Sequence, residues 1–267
     1  MNNFCVKRHN NGVWFGTFGL LEKHNVKHGV STRLGGVSQE PFDSLNMGIS
    51  TGDELELVMK NRRLFCEAVG VDANRLVTAG QVHGDRIYVV EEKDINKGEV
   101  TLIQETDALV TAAKDVPIML SFADCVPVLL YDPVKKVVAV SHAGWRGTVA
   151  KIAQKTLYTM QEKFGSKPED CLAAIAPSIG GCCYEVDKTV IQSLEKSFSW
   201  WREVVTPRGE RWLLDLWETN QRQLMDIGVN GGNIAVSGVC TNCNTQLFYS
   251  YRAGKGRTGR IGAIVSL

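Results

Sequence analysis

VPIMLSFADCVPVLLYDPVKKVVAVSHAGWRGTVAKIAQKTLYTMQEKF, residues 116–164, places strand and helix periodicity side by side and puts reactive side chains at their junctions. The runs 117–122, 126–131 and 136–141 are short, rich in Val, Ile and Leu, and bounded by polar or turn residues, which predicts buried strands. Cys125 falls in the break between the first two. His142 follows the third directly. The loop 143–147 then leads into an expected helix, where Val149, Ile152, Ala153, Leu157, Met160 and Phe164 keep helical spacing, Thr148 is the expected N-cap and Gly165 the stop.

A cysteine and a histidine at strand ends, beside a glycine-bearing loop and a helix start, mark a site more than a core, because chemistry sits on loops held by a rigid scaffold. A helix N-terminus there would also favour an anion. Taken singly, each residue has a plainer reading: a buried thiol behaving as a small hydrophobe, and a hydrogen-bonded core histidine.

Working outward, 267 residues with 44% apolar content provide for one α/β domain of this length or two modest ones. Thirty basic and twenty-nine acidic residues leave a net charge of +1, so no global charge points to nucleic acid or membrane. No run approaches the roughly 20 apolar residues that cross a bilayer, and the first residues lack the apolar segment of a secretion signal; a cytoplasmic protein is expected. Eight dispersed cysteines therefore read as free thiols, one or two of them with a metal or catalytic role. No obligate protein partner is evident.

Strands and helices alternate along the chain without a low-complexity linker or an internal repeat. This favours a single α/β (α+β) domain over residues 1–267, a sandwich with a mixed sheet and flanking helices. Arg33, near Gly35 and Gly36, is a candidate anion-binding residue, while His24 and His28 are an improbable metal pair because Gly29 and the strand-like residues after it break the helical turn. A helix is expected over 53–69, with Cys66 structural. His83 lies in Gln81-Val-His-Gly84, which interrupts a strand, and Asp107 reads as a cap, a turn residue or a functional acid. Further helices are expected near 187–198 and 215–227, and strands at 171–176, 234–239 and 248–252. Cys240-Thr-Asn-Cys243 has the spacing of half a zinc knuckle or of a redox pair, but no second CxxC or HxxxH accompanies it. Arg252, directly after the last of those strands, is a candidate to point into a pocket.

Together, Gln81-Val-His-Gly84, Thr106-Asp-Ala-Leu109, Ala123-Asp-Cys-Val-Pro-Val-Leu129, His142-Ala-Gly-Trp-Arg-Gly147, Cys183-Tyr-Glu-Val186 and Ser250-Tyr-Arg252 resemble the YfiH/YlmD laccase-domain family, also called the polyphenol oxidase or LACC-type purine nucleoside phosphorylase family. The resemblance runs from about His28 to the C-terminus. It implies the fold of that family, similar to cytotoxic necrotising factor, and a zinc-dependent purine nucleoside phosphorylase that also deaminates adenosine. It also implies that His83, Cys125 and His142 hold the metal. Two imidazoles and a thiolate are an ordinary Zn²⁺ set, and three protein ligands leave a position for water or substrate. On this reading Asp124 moves protons, Arg33, Arg146 or the helix start after His142 holds phosphate, and Asn46 and Gln81 contact base or ribose or merely brace loops.

Copper at the same ligands gives a laccase-like polyphenol oxidase as an alternative, since His₂Cys is also a copper set when a weak axial ligand such as Met is added. Five histidines and no His-x-His pair are too few for a multicopper cluster. A metal-free cysteine hydrolase would use Cys125 as nucleophile, His142 as base and Asp124 as orienter. A cytidine-deaminase signature fails, because His83-Gly-Asp85 has Asp where Glu is required and Cys240 follows Val239.

Overall fold

The computed structural model describes residues 4–96 and 100–267. Two large sheets stack with helices on both outer faces. The first has seven strands in the order Phe4–Arg8, Trp14–Phe18, Lys27–Ser31, Ile261–Ser266, Ile118–Phe122, Val77–Ala79 and Thr101–Ile103. Its first five strands are antiparallel and its last two join in parallel. The second has six strands, ordered Ile234–Val236, Leu172–Ile175, Val126–Asp132, Val137–Ala143, Ala108–Thr111 and Ile87–Val89, again of mixed direction. A small third sheet joins Glu185–Val186, Arg211–Leu214 and Val205–Arg208.

Strand geometry explains why residues 126–132 read as an unbroken apolar run. Alternate side chains point to opposite faces, and both faces are covered. Leu129 and Tyr131 pack between the sheets against Leu120, Phe122, Ile261 and Ala263. Val128 and Leu130 face outward onto Ile152, Leu157 and Met160 of the helix Ile152–Phe164. Burying each such side chain contributes about 1.5–3 kcal/mol. On the far side, Met119 and Ile264 meet Phe65 and Cys66 of the helix Leu55–Val69, so Cys66 is a core residue. Among the described residues, no helix is long and apolar enough to cross a membrane.

Several expected boundaries change. Instead of one helix capped by Thr148, a short helix Trp145–Val149 begins after Gly144, and Lys151, at φ +62°, breaks it from Ile152–Phe164. Thr148 lies inside the first piece, with its hydroxyl donating to the Ala143 carbonyl. The strand expected at 234–239 stops at Val236, where the chain turns through Gly238 at φ +65°. Residues 248–252 form no strand: the Arg252 amide donates to the Asp124 carboxylate, not to a ladder. The last strand is Ile261–Ser266, in the interior of the larger sheet. The helices expected near 187–198 and 215–227 are Lys188–Ser197 and Leu216–Asp226, with the Asp187 and Asp215 side chains as their N-caps.

Candidate metal centre and its cavity

The chain passes from the seven-stranded to the six-stranded sheet twice on the way to the site. Residues 80–86 connect Val77–Ala79 to Ile87–Val89, and residues 123–125 connect Ile118–Phe122 to Val126–Asp132. His83 is on the first crossing and Cys125 on the second. In the hairpin that follows, His142 pairs with Pro127, which places it beside Cys125. The ligating atoms of His83, Cys125 and His142 lie within 4.8 Å of one another. The two imidazole rings stand edge to face at 4.8 Å, and Phe122 backs His142 at 5.4 Å.

Strand register also delivers Asp107. Ser141 pairs with Ala108, so the residue before Ala108 comes opposite His142. Asp107 is fully buried, and its carboxylate accepts from the amides of Val82, His83 and Gly84 at 3.1, 3.0 and 2.8 Å. It also contacts His142 Nδ1 at 2.8 Å. One carboxylate thus holds the His83 loop and orients the His142 ring, leaving Nε2 to face the cluster. His83 sits at φ +60°, a left-handed conformation that those amide bonds hold in place.

Burial alone would push the Cys125 thiol up, but the neighbouring His142 and His83 rings bring it down to about 6 in the metal-free protein. Burial disfavours charge on His142 too, yet the Cys125 thiolate and Asp107 raise it to about 9. For Asp107, desolvation is outweighed by His142 and the loop amides, which keep the carboxyl below its usual range. The result is a thiolate–imidazolium pair beside a second histidine.

A soft thiolate with two imidazoles suits Zn²⁺. The donor spacing fits a single ion, and Asp107 on Nδ1 supplies the outer partner that metal-bound histidines usually have. Gly144 keeps the approach open: a Cβ there would stand 2.8 Å from Cys125 Sγ. Copper would accept the same donors, but among the described residues lining the cavity there is no methionine to serve as the usual weak axial ligand.

The cluster opens onto a cavity of about 700 Å³. Of the residues expected at the site, Gln81, Asp124, Arg146 and Arg252 join the three ligands in its wall, whereas Arg33 and Asn46 do not. The Arg33 guanidinium is held by Asp43 and the Thr245 carbonyl and stacks at 4.9 Å over Tyr249, which explains why it supplies no charge to the cavity. Asn46 is a buried brace: it donates to Thr51 and Asp53 and accepts from the amides of Gly48 and Arg260. Gln81 uses both ends of its amide on the Ser121 backbone.

Asp124, in the cavity wall, also braces its surroundings. Its carboxylate accepts from Thr241 Oγ1 at 2.6 Å, Ser250 Oγ at 3.0 Å and the Arg252 amide at 2.7 Å. The orienter of His142 is Asp107, the residue whose sequence reading stays open among three roles.

Arg62 and Arg260 line the cavity as well, unflagged by their sequence contexts of an amphipathic helix and a basic loop. Arg62 donates twice to the Met47 carbonyl, Arg252 to the Glu185 carbonyl, and Arg260 to the Thr258 and Gly259 carbonyls. The Arg146 guanidinium lies at 4.6 Å over the Trp145 ring and, among the described residues, has no hydrogen-bond or ion-pair partner.

Residues 27–267 match a family model described as multi-copper polyphenol oxidoreductase laccase. The purine nucleoside phosphorylase YlmD of Bacillus subtilis is 40% identical over 244 residues, 90% of this chain and 87% of that protein. An adenosine deaminase, RL5, from an unknown prokaryotic organism is 34% identical over 229 residues, 83% of this chain and 87% of its own length. The crystal structure of YlmD from Geobacillus stearothermophilus superimposes with a TM-score of 0.87 at 35% identity, covering 98% of both chains. That of a hypothetical protein YfiH from Bacillus licheniformis gives a TM-score of 0.91 at the same identity, also covering 98% of each. With the sequence match, the shared fold and this extent of coverage, the chain belongs to the laccase-like YfiH/YlmD family.

Proposed function

We propose that the cavity is the active site of a zinc-dependent purine nucleoside phosphorylase acting on adenosine, inosine, guanosine and methylthioadenosine, with adenosine deaminase activity beside it. The observation that carries this reading is the His83, Cys125 and His142 donor set, oriented by Asp107, opening onto a cavity lined by Arg62, Arg146, Arg252 and Arg260. The names of the relatives support it for both reactions. About 700 Å³ falls within the range of small-molecule sites and accommodates a nucleoside with phosphate.

When bound by His83, Cys125 and His142, Zn²⁺ supplies Lewis acidity that makes an oxygen nucleophile available near neutral pH. Asp107 keeps the His142 ring in one orientation and holds the His83 loop. Arg146, with its fork free, is the residue that binds the phosphate that attacks C1′ of the ribose while the C1′–N9 bond breaks and the purine leaves with a proton from the phosphate. Arg252 and Arg260 add positive potential while their side chains anchor the cavity wall. Asp124 positions Arg252 through its backbone amide and ties down the loop that carries Thr241. Phosphate recognition rests on these arginines, since the helix after His142 is only five residues long.

A second reading has a specific observation behind it. Cys125, His142 and Asp107 are arranged as nucleophile, base and orienter, with a thiolate already favoured in the metal-free protein. Metal dependence separates the two. Metal content is measured alongside adenosine turnover with and without phosphate, for the wild type and Cys125→Ala. Activity that is lost on metal removal and restored by Zn²⁺ supports the metal enzyme; metal-free protein that retains full turnover through Cys125 supports the cysteine nucleophile.

A further inference from the structure

The CxxC at Cys240 and Cys243 lacks a second pair in sequence, yet the fold supplies one. Cys182 and Cys183 follow Gly180 and Gly181 in the loop after Leu172–Ile175, and a bridge between Ser178 and Cys240 lays this loop beside the other. The Thr241 amide donates to the Ser178 carbonyl at 3.0 Å, and the Cys183 and Tyr184 amides both turn back onto the Gly180 carbonyl at 2.9 Å. All four sulfurs lie within 4.8 Å of one another. Cys182 Sγ is 3.7 Å from both Cys183 and Cys243, and Cys183 is 3.3 Å from Cys243.

We infer that Cys182, Cys183, Cys240 and Cys243 form a second metal site, a closed four-thiolate site for a structural Zn²⁺, distinct from the cluster in the cavity. A tetrahedral ion with Zn–S bonds of about 2.3 Å separates its sulfurs by about 3.8 Å, close to the spacing of these thiols. All four are free cysteines, well beyond the roughly 2.05 Å of a disulfide. The Gly180 amide donates to Cys240 Sγ at 3.3 Å, the kind of N–H contact that stabilises a coordinated thiolate. Cys240 is buried while Cys182 and Cys243 are exposed, so one side is anchored and the other admits the ion.

Four protein ligands leave no position for substrate, which makes the role architectural. The tethered loops reach the cavity directly. The Ile179 amide donates to the Asp124 carbonyl, Thr241 donates to the Asp124 carboxylate, and Ile179 and Tyr184 line the cavity. The ion therefore holds the wall next to Cys125 from behind.

The test uses the full chain carrying Cys125→Ala and His142→Ala, in which the cavity cluster cannot hold its ion, loaded with Co²⁺ under reducing conditions. One Co²⁺ per chain is expected, with an intense thiolate-to-cobalt charge-transfer band and tetrahedral ligand-field bands, both displaced by Zn²⁺. Adding Cys182→Ser and Cys243→Ser, two exposed positions, should abolish them while circular dichroism shows the fold retained. Should the combined variant not fold, the same serine pair in the otherwise native chain should lower bound zinc from two ions to one. Four freely reactive thiols with no bound metal, a disulfide between Cys183 and Cys243, or a spectrum unchanged by the serine pair would overturn the inference. Because the readout is metal on four sulfurs that belong to none of the cavity donors, it stands or falls separately from nucleoside turnover.

Discussion

His83, Cys125 and His142 open onto a cavity, whereas Cys182, Cys183, Cys240 and Cys243 close on one another at the surface. The first cluster has three donors of two kinds, a buried carboxylate steering one of them, and arginines within the same wall. The second has four like donors and a backbone amide on one sulfur. Coordination chemistry assigns these patterns to different tasks: an incomplete ligand set performs reactions and a complete one holds loops. Both clusters bear on the same short segment, since Asp124, adjacent to Cys125, receives its hydrogen bonds from the loops that the cysteines would tie.

Breaking the open cluster should have the largest effect. Cys125→Ala is expected to reduce phosphorolysis and deamination to background and to remove one metal ion per chain, read by product chromatography and elemental analysis. Turnover that persists in this variant would mean that the chemistry is elsewhere.

Asp107→Asn keeps the shape but changes the partner of His142 Nδ1, and it should lower metal affinity or activity about 10- to 100-fold. A chelator titration of the purified variant gives the affinity directly. The comparable carboxylate Asp124 touches loops instead of a ligand, so Asp124→Asn should leave metal affinity nearly unchanged; equal losses from both would erase the distinction between them.

Arg146→Ala should raise the phosphate KM about tenfold, the loss of one charge-assisted contact of about 1.5 kcal/mol, while adenosine deamination proceeds. This separates anion binding from the metal centre in a single steady-state comparison.

In the metal-free protein, pH dependence follows from the coupled pair. The Cys125 value is lowered, so its contribution to stability grows as pH rises above about 6 and is absent below it. The His142 value is raised, so its contribution is present in acid and is lost as pH rises through about 9. The gain from one offsets the loss from the other, so thermal midpoints of chelated protein should stay nearly level between these limits, and a midpoint that rises or falls steeply across them would contradict the coupling. As the smallest effect, Cys5→Ser, at an exposed cysteine in neither cluster, should change stability by no more than about 0.5 kcal/mol and leave metal content unaltered.

What could be read from residues alone followed local physics. The apolar runs around Cys125 announce strands covered on both faces, and His142 at a strand end is visible from the change of periodicity into the next helix. The helices near 187–198 and 215–227 are likewise legible from their spacing. The donor set needed a family resemblance, because three ligands from separate crossings carry no spacing signal. From residues alone Asp124 is the expected orienter of His142, but Asp107 takes that place, since the pairing of Ser141 with Ala108 decides it and register is not written in either segment. Arg33 sits in a glycine-containing loop that invites an anion, but Asp43 and the Thr245 carbonyl occupy its fork. The cysteine pairs look unrelated along the chain until the bridge at Ser178 and Cys240 joins their loops.

The most direct measurement is adenosine turnover, with and without phosphate, by the native chain stripped of metal and titrated with Zn²⁺. The account predicts no activity without metal and full recovery once both clusters are filled, at two ions per chain. Unchanged turnover in the stripped protein, still abolished by alkylation of Cys125, would contradict it and establish the cysteine as the nucleophile.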